Sequence, residues 1–449
     1  MRKFLKKHVG IVILLVIIIA FPASMSTQAR LNMRIIITGL AIDKTDSGYE
    51  VTAQIVKTAP GSGAEKTGAS IDFVTDTGDT IVSAISKLSY KSGKVAGFSH
   101  TNFILIGKKM LDENLLKTLN YFLRDTLIKD SVLLLVAKDS ASDEIKKTQN
   151  VGLSVGLEIQ KVFVYKEKES DGAMTSLVSF VNNSLDYSKT SVASILSMNA
   201  DSQNNGQSGS SGSSTGGPQD TSSSQSESGS EQSESDKKSE GSGESGSSEG
   251  QGVESGQGGG SGSSQSSSSE TEYFDAITPL ACFVEGKFVG SLESDDEIMG
   301  YMFSNDKCIT EDVSIQNVTC GKFKDAIVGI DIKNKSCKKK IRFEGDTPCL
   351  DICIRVSNSI IREIQNEELV QAITTEEFDV IKKKMSEHIS KMIASTFKKS
   401  KTLKADVFGA FDLANKFHYK RTKNNFANME EFLEKLKLNV DVKVSRLEH

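Results

Sequence analysis

Two runs decide the fold class: Ile35-Ile36-Ile37-Thr38-Gly39-Leu40-Ala41-Ile42-Asp43 and Tyr49-Glu50-Val51-Thr52-Ala53-Gln54-Ile55-Val56, separated by a polar turn at Asp46-Ser47-Gly48. β-Branched and aliphatic residues fill both, and the second alternates, so the pair predicts a β-hairpin. Helical and strand periods then take turns. After a loop over 60–68 and a short strand over 70–75, Gly78-Asp79-Thr80 opens a helix. Its apolar residues Ile81, Ala84, Ile85 and Leu88 keep helical spacing, with Asp79 or Thr80 as N-cap. A strand over 103–107, a helix over 111–123 and a strand over 132–137 come next. Beyond Ile145 the periodicity weakens to one amphipathic stretch at 174–181. The pattern is α+β.

The run 201–270 breaks this order. It holds 27 Ser and 16 Gly, and its only apolar side chains are Pro218 and Val253. So little apolar area cannot offset a backbone ordering cost of roughly 1–2 kcal/mol per residue, which predicts a disordered linker. It is also acidic, with 11 Asp or Glu against Lys237 and Lys238. The chain as a whole carries −5, so what remains is mildly basic. No dense Lys/Arg stripe interleaved with aromatics occurs beyond the first seven residues, which argues against nucleic acid as a partner. Lys338 to Lys340 reads as a solvated turn.

Periodicity resumes beyond the linker. Strands over 281–284 and 287–291 meet across Glu285-Gly286, a tight turn. Further strands fall at 313–318, 326–332 and 350–356. Ile360, Ile361, Ile364 and Leu369 read as the start of a helical phase. Thr374 and Glu377 form a capping box ahead of the stripe Phe378, Ile381, Met385, Ile389, Met392 and Ile393. The alternating segment 438–444 predicts a half-buried final strand. The chain is therefore expected to comprise residues 1–29 as a signal peptide or N-terminal anchor, 30–200 and 271–449 as two mixed α/β regions, and 201–270 as the linker between them.

Arg2, Lys3, Lys6 and Lys7 precede an unbroken apolar run from Val9 to Phe21. At about 13 residues the run suits an export signal better than a full span, and it places the bulk of the chain outside the cytoplasm. All six Cys lie between Cys282 and Cys353. An even count in an exported chain permits up to three disulfides, without choosing a pairing. Cys349-Leu350-Asp351-Ile352-Cys353 lacks zinc-knuckle spacing, and no metal or other cofactor is expected.

No catalytic pattern is complete. Gly61-Ser62-Gly63-Ala64-Glu65-Lys66-Thr67-Gly68 resembles a phosphate loop but places a carboxylate where backbone amides must face phosphate. Ser99 and His100 are adjacent on a strand-like segment, so they point apart, and His100 reads as a structural histidine. Asp43, Asp46 and Glu50 lack calcium-loop spacing. No catalytic, cofactor or metal residue is nominated.

Taken in order, several pieces resemble the Ger(x)C family, the C subunits of nutrient germinant receptors in spore-forming bacteria. In the first region these are Gly39-Leu40-Ala41-Ile42-Asp43-Lys44, Tyr49 to Val56, the Gly78-Asp79-Thr80 helix start, His100-Thr101-Asn102-Phe103-Ile104-Leu105-Ile106-Gly107, Phe122-Leu123-Arg124-Asp125 and Val136-Ala137-Lys138. In the second they are Ala281 to Leu292, Gly300-Tyr301-Met302, Leu403-Lys404-Ala405-Asp406-Val407-Phe408-Gly409 and the alternating final strand. The resemblance implies a non-enzymatic subunit that acts with A-type and B-type integral membrane subunits at the outer face of the spore inner membrane, and that meets a small-molecule germinant indirectly if at all. The matched positions read as folding determinants: Gly39 and Gly107 at strand ends, Asp406 as a cap for the helix holding Phe408 and Phe411. Two departures stand out. The family is typically a lipoprotein, but residues 23–32 hold no lipobox Cys, so no lipidation is expected; and the chain has no Trp. The competing expectation is an exported cell-envelope adhesion or scaffold protein.

Overall fold

β1 (Arg34–Thr45) and β2 (Gly48–Thr58) form the expected hairpin, extended on its outer side by β3 (Ala69–Gly78). The structure is a computed structural model. It describes residues 34–58, 69–124, 128–148, 155–168, 172–196, 198–199, 273–274, 278–305, 311–321, 323–365 and 372–448. The apolar run expected as an export signal, residues 61–68 and the Ser/Gly run 201–270 lie outside them.

On the inner side of β1 the chain winds a parallel sheet. The elements are α1 (Ile81–Ser92), β4 (Val95–Gly97), β5 (Phe103–Ile106), α2 (Leu115–Arg124), β6 (Leu133–Ala137), α3 (Ala141–Lys147), α4 (Val155–Lys168), α5 (Leu177–Leu185) and β7 (Thr190–Leu196). β1, β5, β6 and β7 run parallel as neighbours, and β4 adds to the start of β1. The buried faces of α1, α2 and α5 cover one side of the sheet, and those of α3 and α4 the other. Both sides of β5 and β6 are thus shielded from water, which explains their unbroken apolar sequences. Thr80 caps α1 by accepting from Ser83 N–H.

Gly39 lies inside β1 rather than at its end, at a break in register, where a Cβ would sit 2.3 Å from the Phe103 ring. The helix expected over 111–123 is split into a 3-10 turn (Lys108–Asp112) and α2, because the Asn114 side chain accepts from Leu116 N–H and starts a new helix. α4, α5 and β7 occupy the stretch where sequence periodicity fades.

β8 (Met198–Asn199) pairs with β9 (Tyr273–Phe274) on either side of the linker. β10 (Leu280–Val284) then lies antiparallel to β7, and β11 (Lys287–Leu292) folds back on β10. This hairpin comes after the linker in sequence yet completes the first sheet, in the order β11-β10-β7-β6-β5-β1-β2-β3. Its turn uses Glu285 and Gly286, at φ 52° and 75°. Phe283 enters the first core edge-on to Phe180, with centroids 5.1 Å apart.

A second sheet lies beyond α6 (Asp295–Phe303). β12 (Glu311–Cys320), β13 (Phe323–Glu344), β14 (Thr347–Gln365) and β15 (Lys437–Val444) are neighbours in that order, and β16 (Leu447–Glu448) pairs with the far end of β14. β13 and β14 are far longer than expected. The supposed helical phase at Ile360, Ile361 and Ile364 is the end of β14, and Leu369 lies outside the described residues. Lys338 to Lys340 is no turn but sits within β13: Lys338 and Lys340 are exposed, and Lys339 points inward.

The capped helix α7 (Thr375–Leu403) has both capping-box bonds between Thr374 and Glu377. It lays Ile381, Met385, Ile389, Met392 and Ile393 on the sheet. α8 (Ala410–Asn425) and α9 (Met429–Lys435) lead into β15, whose burial alternates as read from sequence. α6 packs against α7 through Gly300, where a Cβ would lie 2.3 Å from both Met392 O and Thr396 Oγ1. Gly300→Ala should therefore destabilise the protein by about 1–3 kcal/mol, as overpacking does. Urea unfolding measures this, and an unchanged midpoint would show that the two helices separate freely.

Candidate functional site

The segment Leu403 to Gly409 carries much of the family resemblance, and it lies where the second region meets the first sheet. α7 ends at Lys404, a residue in the left-handed conformation at φ 53°. The chain then turns sharply through Ala405 to Gly409 before α8 begins. Asp406 makes that turn possible. Its carboxylate accepts from Ala410 N–H at 2.9 Å and Phe411 N–H at 2.7 Å, satisfying two amides that no helical carbonyl can reach. Asp406 therefore caps α8, while Phe408 precedes that helix rather than lying in it. The Asp406 N–H in turn donates to Thr190 Oγ1 of β7 at 3.1 Å.

Further contacts lie along the seam. Asp412 accepts from both the backbone N–H and the hydroxyl of Ser188, each at 2.6 Å. Lys339 Nζ donates to Phe408 O at 3.1 Å. In the β10–β11 turn, Gly286 O accepts from Leu115 N–H at 2.8 Å and Glu285 O from the Asn114 amide at 2.9 Å. The Lys189–Glu285 ion pair lies beside them.

Outside this seam is an open groove of about 860 Å³, whose lining includes Tyr187, Lys339, Asp412, Lys416 and Tyr419. The surface around it is unusual. Leu185 is 72% exposed, Tyr187 52%, Phe417 65% and Tyr419 47%. Lys416, Lys420, Arg421 and Lys423 share α8 with the last two, and none forms an ion pair among the described residues. α8 kinks at His418, whose φ and ψ of −134° and 34° are not helical; its Nε2 lies 3.1 Å from Ile341 O. Exposed aromatics interleaved with cations that have no carboxylate partner suit contact with another macromolecule.

The residues weighed for chemistry form no nucleophile–base pair. Ser99 and His100 are both exposed in the turn before β5, with no hydrogen bond between them. Asp43 is committed to structure: it accepts from Ala141 and Ser142 N–H at 2.9 and 2.7 Å, and so holds the start of α3. Gly107, just past β5, leaves room for that carboxylate. Asp46 lies in the hairpin turn. Cys282, Cys320, Cys349 and Cys353 are free thiols, and Cys308 is outside the described residues. Burial pushes the Cys282 thiol up to about 12, which leaves it a small apolar side chain. The described residues hold no group of three or more His, Cys, Asp or Glu able to bind a metal ion. Sequence reasoning found Asp406 but missed Ser188, Thr190 and Asp412. Ser188 and Asp412 are 224 residues apart, and no local pattern links them.

Comparison with known proteins agrees with this order of elements. Residues 27–198 match the family described as "Spore germination protein N-terminal domain", and residues 278–448 match "Spore germination B3/ GerAC like, C-terminal". The chain belongs to the Ger(x)C family of spore germination proteins. It is 35% identical over 113 residues to spore germination protein B3 of Bacillus subtilis (strain 168), a match that covers 24% of this chain and 29% of that protein. Among solved structures, it is similar to the crystal structure of the GerBC protein at a TM-score of 0.48 and 15% identity, covering 91% of this chain and 96% of that one.

Burial raises the Asp406 carboxyl to about 6, against the pull of the Ala410 and Phe411 amides. The folded chain therefore holds this proton more tightly than the unfolded chain, where the ordinary value is 3.8. Its stabilising contribution is complete below the unfolded value and is lost as pH rises through about 6. The stability of the wild type relative to Asp406→Asn should fall by up to about 3 kcal/mol between about pH 4 and pH 7. Urea titrations across that range test this; a pH-independent difference would mean that Asp406 does not titrate there.

Proposed function

We propose that this chain is the C subunit of a nutrient germinant receptor. It is a non-enzymatic protein that acts at the outer face of the spore inner membrane, with A-type and B-type integral membrane subunits, to trigger germination. The observation that carries the reading is the pair of family matches, which run in order over both described regions and meet at the seam built by Asp406. A subunit of this kind works by docking. The surface formed by Tyr187, Phe417, Tyr419 and the α8 cations, which have no carboxylate partner, supports this, and we assign it to the membrane partners. No helix among the described residues is long and apolar enough to cross a membrane. We propose that the partner subunits, together with the apolar run Val9 to Phe21, hold the chain at the membrane in place of a lipid.

Affinity purification of the tagged full chain from the spore inner-membrane fraction tests the assignment. The A-type and B-type subunits are expected to co-purify, and Lys416→Glu/Lys420→Glu/Lys423→Glu should reduce their recovery by about tenfold, a loss of about 1.4 kcal/mol. A chain found only in vegetative culture medium, or spores that germinate normally on every nutrient without it, would overturn the reading.

A further inference from the structure

A second concavity lies on another part of the molecule, at the carboxyl ends of the parallel strands. Small-ligand sites are typically concave and mostly apolar, with a few polar or charged groups at the border. Here it is a cavity of about 810 Å³. Val136 and Ala137, at the end of β6, and Ile195, near the end of β7, contribute apolar surface from the sheet. Leu111, Phe288 and Leu403 add walls from the 3-10 turn, β11 and the end of α7. The wall nearest α7 is held tightly, because a Cβ at Gly290 would sit 2.5 Å from Leu403 Cδ2.

Three cations border this apolar space: Lys108, Lys138 and Lys399. Lys138 and Lys399 form no ion pair among the described residues. Lys108 pairs with Asp139 at 3.5 Å, but both side chains are largely in water, where such a pair holds weakly. Two carboxylates also line the cavity. Glu293 is occupied by the Ser291 hydroxyl, which donates to it at 2.6 Å, and Asp112 belongs to the 3-10 turn. The lining thus holds three ammonium groups against two carboxylates, an excess of one positive charge, beside aliphatic and aromatic walls.

We propose that this crevice binds an amphiphilic anion, with an aliphatic chain against Val136, Ile195, Phe288 and Leu403 and a carboxylate or phosphate among Lys108, Lys138 and Lys399. The volume is within the range of small-molecule sites. A neutral amphiphile would leave the lysines unmatched, and a small polar anion would leave the apolar walls wet. The site shares no lining residue with the groove assigned to the membrane partners.

The test is a fluorescence titration of the full chain, held in a non-ionic amphipol, with dansyl-undecanoate, after subtraction of the signal from protein-free polymer. Saturable binding is expected. Both Lys138→Glu/Lys399→Glu and replacement of the probe by its uncharged methyl ester should weaken it by about tenfold or more. Should the charge-reversed variant melt below the wild type, Lys138→Gln/Lys399→Gln provides the same comparison without added repulsion. Equal affinity for acid and ester, or unchanged affinity in the folded variant, overturns the proposal. Competition distinguishes the source of the ligand. Displacement by decanoate alone indicates a soluble acid, displacement by lysophosphatidylglycerol alone a membrane lipid, and displacement by both a site that reads only the shared chemistry. Displacement by neither also overturns it.

Discussion

The ladder between β7 and β10 is the constraint on which the rest of the structure depends. Five residue pairs, from Leu280 opposite Ser194 to Val284 opposite Thr190, join chain from before the linker to chain from after it. β7 has only a short parallel partnership with β6, through Val136 and Ala137. Without β10 its other side would be a row of unpaired backbone groups, a template for wrong partners. With β10 in place, Phe283 fills the first core and the Glu285-Gly286 turn meets the start of α2. Ser188 and Thr190, at the beginning of β7, are then positioned to receive Asp412 and Asp406.

Several buried charges obey one rule: they sit where a helix begins or ends. Lys335, buried in β13, donates to the carbonyls of Met302, Phe303 and Asn305 at 3.4, 3.2 and 3.0 Å, and so finishes α6. Asp406 does the opposite at the start of α8. An isolated buried charge is costly, but the unsatisfied peptide groups at a helix end solvate it and carry the matching partial charge. Lys339 serves the turn before α8 in the same way, through Phe408 O. These residues fix the path of the chain between packed elements without forming a reactive centre.

Wherever the determinants are local, the sequence is readable. The first hairpin, the Thr80 cap, the Thr374–Glu377 capping box and the alternation of β15 each arise from residues within a few positions of one another. The family resemblance points to Asp406, and the spacing of Asp406 from Ala410 and Phe411 suits a cap. Legibility fails where tertiary packing overrides the local pattern. The aliphatic pairs in Ile360, Ile361 and Ile364 mimic a helical stripe, yet pairing with β13 keeps that segment extended. α4 buries Ile159, Phe163 and Lys166 among its described side chains, and a lysine at the third position hides the apolar period. The parallel pairing of β1 with β5, and the return of β10 to the first sheet, depend on contacts across the whole chain, and no sequence period encodes those.

The pairing of β7 with β10 also separates covalent connection from structural integrity. The residues on either side of 203–270 form one compact unit, bound by a sheet ladder, a shared apolar core and the Asp406 and Asp412 hydrogen bonds. None of these ties requires an unbroken peptide between Asn199 and Tyr273. A protease cut in that interval would leave two polypeptides still folded around one another, and the same two pieces made from separate genes would reassemble by fragment complementation. In this protein the sheet, rather than the backbone that crosses the linker, determines what counts as one molecule.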